Sequence, residues 1–211
     1  MKLMTLIALL LFLSGCTTSK VITPDYKKVE LYSTDSIPAL PFLMVTKTPT
    51  TITAAQLEQH ISKQAKVEWL AEDSVYFLPT KQNMDTVILY LDDIFRKFGI
   101  HFIPESLDCD DFARTKTALS KLIISQTYQI EASPAIFTIF VFQKKMWANV
   151  PAGGGHALIA YACTDANGAT KVFIWEPQST EQISVKDYPN KDQLFYIGSE
   201  RTENPNPEPK P

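Results

Sequence analysis

The stretch that decides the fold is residues 155–176, GHALIAYACTDANGATKVFIWE, which reads as two strands joined by a short turn. Apolar, aromatic and β-branched side chains dominate both halves of this stretch, and such residues favour strands. The four letters DANG at residues 165–168 contain the Asn-Gly pair typical of hairpin turns. The sequence therefore predicts an antiparallel hairpin.

The length of that turn decides whether His156 and Glu176 share a face of the hairpin. A three-residue connection with Gly168 in the left-handed conformation would place Glu176 opposite Leu158, diagonal to His156 and on its face. A two-residue connection would shift the register by one and turn Glu176 to the other face. The order of the turn residues favours the longer connection without deciding between the two.

The rest of the chain is predicted to be helical first and then mostly strand. A capping-box pattern opens one helix, and apolar residues at helical spacing mark two more. The predicted helices span residues 53–65, 82–98 and 108–126, and further strands lie within residues 67–78, 135–142 and 194–198. In the third helix the apolar stripe is expected to comprise Phe112, Thr115, Leu119, Leu122 and Ile123. This order of elements predicts an α+β domain with an antiparallel sheet.

The start of the chain reads as a targeting segment. Lys2 is followed by an apolar run that is too short to span a bilayer and ends in LSGC at residues 13–16. This ending resembles a bacterial lipobox, which implies that residues 1–15 form a lipoprotein signal peptide and that Cys16 is lipidated. Thr17 after the cysteine implies an outer-membrane location facing the periplasm. An ordinary signal peptide is the alternative.

Composition separates the remaining chain into three parts. Residues 16–50 are rich in Thr, Ser and Pro and are predicted to be a tether, and residues 51–200 are long enough for one domain with a substantial core. Residues 201–211 carry proline at every second position from residue 205, which predicts an extended, disordered tail. The net charge of −3 gives no indication of a nucleic-acid-binding surface.

Three residues in chain order suggest a cysteine hydrolase: Cys109 at a helix start, His156 on a later strand and Glu176 on the next. The free N–H groups and the positive dipole end of a helix stabilise a thiolate, and a neighbouring imidazolium would stabilise it further. A carboxylate beside the imidazole would orient it. These side chains are our candidate catalytic residues.

Three carboxylates surround that cysteine in the letters LDCDDFA of residues 107–113: Asp108, Asp110 and Asp111. Their negative charge opposes thiolate formation. One explanation is a helix start, where the dipole favours acids. The other is a metal ion.

The second cysteine of the domain, Cys163, offers an alternative role for Cys109, because two thiols in an oxidising envelope suggest a disulfide. His156 and Cys163 fall on opposite faces of a regular strand. A Cys109 that meets His156 would therefore lie on the wrong side of the sheet for Cys163, and the nucleophile and disulfide hypotheses exclude each other. Two unrelated structural thiols are a third option.

Short motifs around these residues resemble known cysteine peptidases. DCDDFA opening a helix resembles the bacterial transglutaminase-like cysteine proteinases, which are calcium-dependent periplasmic enzymes. GGHA at residues 154–157 and WEPQ at residues 175–178 resemble the papain-like C-terminal domain of a fungal agglutinin and its bacterial and phage relatives, a calcium-activated Cys-His-Glu group. The chain departs from the transglutaminase-like pattern, in which the triad ends with Asp, often before Asn.

The resemblance implies a papain-like fold, with N-terminal helices and the nucleophile helix packed on an antiparallel sheet. It implies Cys109 as nucleophile, His156 as general base and Glu176 as the residue that orients the imidazole. It also implies that the three aspartates bind Ca²⁺, whose charge would cancel their repulsion of the thiolate.

Three functions follow as hypotheses. The first is a lipid-anchored envelope cysteine peptidase that acts on protein. The second is a peptidoglycan endopeptidase or amidase that acts on peptidoglycan peptides, because LDCDDF is similar to the DCSGF opening of lipoproteins that do this work; here two acids replace the small residues. The third is a non-catalytic binding lipoprotein on the same scaffold. In each case Cys16 is the contact with the membrane.

Overall fold

The computed structural model describes residues 43, 50–69, 73–101, 108–193 and 195–197. The predicted signal peptide, the lipidated Cys16, nearly all of the tether and the tail lie outside these residues. Helices and strands follow in the order β1 (Thr50–Thr53), α1 (Ala54–Ser62), β2 (Val67–Trp69), β3 (Val75–Leu78), α2 (Lys81–Lys97), α3 (Cys109–Tyr128), β4 (Ser133–Pro134), β5 (Ile136–Gln143), β6 (Gly154–Thr164), β7 (Thr170–Trp175), β8 (Gln182–Ser184) and β9 (Phe195–Ile197).

The predicted α+β class is confirmed. The larger sheet has the strand order β2-β9-β5-β6-β7-β8 and is antiparallel except for the parallel pair of β2 and β9. A smaller sheet of order β1-β3-β4 was not predicted. The strand β3 lies within the predicted residues 67–78, but β1, β4 and β8 span only two to four residues, and β1 and β8 are mostly polar, so no alternating pattern could mark these three. No helix in the described ranges has the length and hydropathy needed to cross a bilayer.

Side-chain caps fix where the helices begin. Thr53 and Gln56 form the predicted capping box of α1, and the Thr80 hydroxyl accepts the N–H of Asn83 at the start of α2. Helix α3 begins after Asp108, which forms a second capping box with Asp111. All three helices begin within one residue of their predicted starts.

The core consists of two apolar clusters on opposite faces of β6, because successive side chains of a strand point to opposite sides. Leu158, Ala160 and Ala162 face a first cluster with α1 and β3. Ala157, Ile159, Tyr161 and Cys163 face a second cluster with α2 and α3. Leu43, which was predicted to belong to the tether, is 6% exposed and packs in the second cluster, so the packed domain extends N-terminal of residue 51.

The predicted apolar stripe of α3 is wrong in part. Thr115 is exposed, and Leu119 and Leu122 are only half-buried. The buried face instead comprises Phe112, Ala113, Lys116, Thr117, Ser120, Ile123 and Ile124. Because three of these residues are polar, a search for apolar periodicity could not locate the face.

Candidate active site

The hairpin turn has the three-residue form that the sequence favoured. The N–H of Gly168 donates to the carbonyl of Asp165 at 2.9 Å, and the N–H of Asp165 donates to the carbonyl of Ala169 at 2.9 Å. Gly168 has a φ of +80°, the left-handed conformation that glycine adopts at low cost. Ile159 consequently pairs with Trp175, which places the next residue, Glu176, on the face of His156.

His156 and Glu176 form a buried hydrogen bond. Nε2 of His156 lies 2.7 Å from Oε2 of Glu176, and the two residues are only 6% and 1% exposed. The other carboxylate oxygen of Glu176 accepts the N–H of Gln178 at 3.0 Å. Both oxygens therefore have donors, and the carboxylate fixes the orientation of the imidazole.

Cys109 lies beside the same imidazole, because an interaction with its thiol contributes to the raised pKa of His156. The structure therefore brings the three candidate catalytic residues together. Since Nε2 is engaged by Glu176, Nδ1 is the nitrogen left to face the sulfur. Burial favours the neutral ring, but the hydrogen bonds to Cys109 and Glu176 and their charges outweigh it and raise the pKa of His156 to about 9. At neutral pH the ring is thus an imidazolium held between a sulfur and a carboxylate, which stabilises a thiolate.

The loop that precedes His156 is held in place by contacts of Gly153 and Asn190. Gly153 has a φ of +109°, which an L side chain rarely adopts, and its N–H donates to the carbonyl of Gln143 at 2.7 Å. Asn190 is 2% exposed, and its Oδ1 accepts the N–H groups of Lys144 and Lys145 at 2.9 and 2.7 Å. These contacts hold the loop that leads from β5 to the histidine.

The acids around Cys109 have partners within the protein. Oδ1 of Asp108 accepts the N–H of Asp110 at 3.3 Å, and Oδ2 of Asp111 accepts the N–H of Asp108 at 3.4 Å. Asp110 lies 3.3 Å from the guanidinium of Arg114. A helix start therefore explains all three carboxylates without a metal.

The same carboxylates also suit a hard cation. One oxygen from each of Asp108, Asp110 and Asp111 lies within 4.8 Å of the others. A hydrogen bond with Asp108, and then burial, raises the pKa of Asp110 to about 6, whereas that bond lowers the pKa of Asp108. A cation would offset the mutual repulsion of these carboxylates, so the donor set fits Ca²⁺ without identifying it.

Cys109 and Cys163 are both free thiols. The predicted reason for their separation was wrong, because Cys109 packs at the margin of the second apolar cluster, which contains Cys163. Cys109 lies beside His156, at the opposite end of β6 from Cys163. His156 and Cys163 are seven residues apart, which is about 23 Å at the usual rise of a strand. A disulfide needs Cα atoms within about 7 Å, so the pair cannot form one in this fold.

Sequence reasoning missed Lys116, a buried cation near the triad. It is 1% exposed, its Nζ lies 3.9 Å from Oδ1 of Asp92, and it lies 4.8 Å above the ring centre of Phe95 and 5.5 Å from that of Trp175. Its place seven residues after Cys109, on the same stripe of the helix, was the available signal. A lysine in a helix is usually exposed, so the pattern alone gave no reason to single it out.

No protein-family model matches the chain, and no curated protein matches it. Among solved structures, the fold is similar to that of the "PSL1a-E64 complex", with a TM-score of 0.50 and 16% identity over 69% of this chain and 50% of that chain. A second match is a Polyporus squamosus lectin bound to the human-type influenza-binding epitope Neu5Aca2-6Galb1-4GlcNAc, with a TM-score of 0.46 and 14% identity over 69% of this chain and 49% of that chain. The chain thus spans about half the length of these two proteins, to the first of which it is similar in fold.

Proposed function

We propose that this chain is a cysteine peptidase of papain-like fold, with Cys109 as nucleophile, His156 as general acid and base, and Glu176 as the residue that orients the imidazole. The observation that carries the proposal is the imidazole of His156, which interacts with the thiol of Cys109 and is hydrogen-bonded to the buried carboxylate of Glu176. Structural histidines seldom join a thiol at a helix start to a carboxylate that is 1% exposed.

The reaction follows from these positions. The thiolate of Cys109 attacks the carbonyl carbon of a peptide bond, a C–S bond forms, and the carbonyl oxygen becomes an oxyanion. The N–H of Cys109, in the first turn of α3, has no acceptor within the helix and is a donor for that oxyanion. When the intermediate collapses the C–N bond breaks, and the imidazolium of His156 gives its proton to the leaving amine.

The second half regenerates the enzyme. Neutral His156 takes a proton from water as the water oxygen attacks the thioester carbon. The C–S bond then breaks, the carboxylic acid product leaves, and the thiolate and imidazolium are restored. The carboxylate of Glu176 orients the ring through its hydrogen bond to Nε2.

Calcium is part of the proposal as a ligand of Asp108, Asp110 and Asp111. When bound, it would supply positive charge beside the thiolate and offset the repulsion between the carboxylates of Asp108 and Asp110. Chelation with EDTA is expected to slow hydrolysis and added Ca²⁺ to restore it, with isothermal titration of the chelated protein as a readout independent of activity. Full hydrolysis in EDTA without calorimetric binding would remove the metal from the proposal.

The test of the nucleophile is covalent labelling. The wild type, Cys109→Ala and Cys163→Ala are each treated with iodoacetamide and with E64. E64 is chosen because it is named in the complex of PSL1a, which is similar in fold to this chain. We expect Cys109→Ala to abolish fast labelling and Cys163→Ala to preserve it. The opposite pattern would identify Cys163 as the reactive thiol and end the proposal.

Substrate class is tested in parallel on protein substrates and on purified peptidoglycan sacculi. Release of peptides from sacculi but not from protein would favour the peptidoglycan endopeptidase hypothesis. A labelled cysteine without hydrolysis of either substrate would favour a binding lipoprotein. The envelope location has its own test, in which Cys16→Ser is expected to move the protein from the membrane fraction to the soluble fraction.

A further inference from the structure

A cavity of about 430 Å³ lies between the C-terminal half of α2, one side of α3 and the segment after β7. Its walls combine apolar rings with charged and amide groups: Asp92, Phe95, Arg96, Phe112, Lys116 and Gln178 line it, together with residues 99–101. Its volume suits an amino-acid side chain or a short peptide end.

The ammonium of Lys116 is the unusual group in this cavity. Among the residues that the structure describes, it makes no hydrogen bond, and its nearest carboxylate, on Asp92, is 3.9 Å away. Aromatic rings surround the rest of it, those of Phe95, Phe112 and Trp175. Burial lowers the pKa of Lys116 to about 8, while the carboxylates of Asp92 and Glu176 act in the opposite direction. The three donors of the ammonium are thus held among aromatic rings at the wall of the cavity.

The cavity adjoins the candidate catalytic residues at two points. Gln178, one of its walls, donates its N–H to the carboxylate of Glu176. Cys109, Phe112 and Lys116 lie on one stripe of α3, and the latter two are about 4.5 and 10.5 Å from Cys109 along the helix axis. A peptide advances about 3.3 Å per residue when extended, so a residue close to the scissile bond reaches the cavity.

We propose that this cavity binds a carboxylate of the peptide substrate, with Lys116 as its ion-pair partner and the side-chain amide of Gln178 as a second donor. The proposal rests on the proposed function and names its substrate class: peptides with an acidic group near the bond that is cleaved. The carboxylate comes either from an acidic side chain or from the C-terminus of the peptide.

The charges around the cavity favour an anion over a cation. Lys116 is the buried charge, whereas Asp92 has a third of its side chain exposed and is correspondingly screened by water. Arg96, at the edge, pairs with Asp93 at 3.0 Å through a guanidinium that is 74% exposed and has further donors free to reach a ligand. Asp92 is the internal competitor for Lys116.

Binding is measured on the Cys109→Ala protein, so that the result does not depend on catalysis. The probes are acetylated, amidated hexapeptides of alanine and glycine with one glutamate at a varied position, and the same peptides with glutamine. Lys116→Met is expected to weaken binding of the glutamate peptide about tenfold or more and to leave the glutamine peptide unchanged. Asp92→Asn is expected to act in the opposite direction and tighten the glutamate peptide several-fold.

If Lys116→Met does not fold, Asp92→Asn still tests the site, because a third of the Asp92 side chain is exposed. Equal effects of either variant on glutamate and glutamine peptides would overturn the carboxylate site. A third set of peptides has a free C-terminus and no glutamate; preferential binding of this set would assign the site to the terminal carboxylate instead of a side chain. Loss of labelling at Cys109 with these preferences intact would end the proposed peptidase but not the binding site.

Discussion

The two free thiols of the domain contact the same apolar cluster, yet the fold gives them opposite properties. Cys109 is half-buried at the first turn of a helix and lies beside the imidazole of His156. Cys163 is 0% exposed in the middle of the core, and burial raises its pKa to about 12. The difference teaches that packing in the same apolar cluster does not make two thiols alike: one lies at a helix start beside an imidazole, and the other is a small apolar side chain of the core.

The largest expected effect comes from exchanging each thiol in turn. Cys109→Ala should lower kcat/KM for peptide hydrolysis by about a thousandfold or more, because no other group can form the acyl intermediate. Cys163→Ala should keep kcat/KM within about threefold of the wild type. Hydrolysis that survives Cys109→Ala and fails in Cys163→Ala would invert the comparison.

The next largest effect is expected at Glu176, whose carboxylate orients the imidazole beside Cys109. Glu176→Gln keeps the size of the side chain but removes the charge beside His156, so kcat/KM should fall about a hundredfold. Stopped-flow iodoacetamide labelling should slow in the same variant, because the imidazolium is less favoured. Gln82→Glu, at an exposed position near the start of α2, is a control that adds a charge away from the triad. Unchanged kinetics in Glu176→Gln would mean that the carboxylate is only structural.

The pH dependence of hydrolysis tests the imidazole beside Cys109. The pKa of His156 is about 9 in the folded protein against an ordinary value of 6.5, so the folded state retains its proton longer. The resulting stability is complete below pH 6.5 and is lost as the pH rises through 9. We expect kcat/KM for a neutral peptide to fall near pH 9, when the general acid is lost, while labelling of Cys109 continues. A fall of kcat/KM near pH 6.5 would contradict the hydrogen-bonded imidazolium.

The smallest effect is on stability, at the buried thiol. Cys163→Ser replaces a thiol by a hydroxyl that must be desolvated, which should lower the free energy of unfolding by about 1–3 kcal/mol. Urea unfolding followed by circular dichroism measures this change, with Cys163→Ala as the matched variant without a polar atom. A Cys163→Ser protein as stable as Cys163→Ala would show that the site tolerates polarity, and the contrast with Cys109 would be weaker than the burial indicates.

The sequence predicted the parts of this domain that follow from local rules. Alternation along the hairpin and the chemistry of the turn favoured, without deciding it, the register that puts Glu176 on the face of His156. The Asp108 cap placed Cys109 at a helix start. Lys116 could not be predicted, because its burial depends on rings contributed by α2 and β7, far away in sequence. The short strands β1 and β4 depend in the same way on partners that the chain brings together only when folded.

The three-residue turn between β6 and β7 has a consequence for how the gene can change. Surface loops usually accept insertions and deletions of any size. Here the loss or gain of one codon among those for residues 166–168 would leave the strands able to pair but would turn the carboxylate of residue 176 away from the imidazole. We expect natural homologues to differ at this turn by whole two-residue steps, a constraint on coding length imposed by a site at the far end of the hairpin.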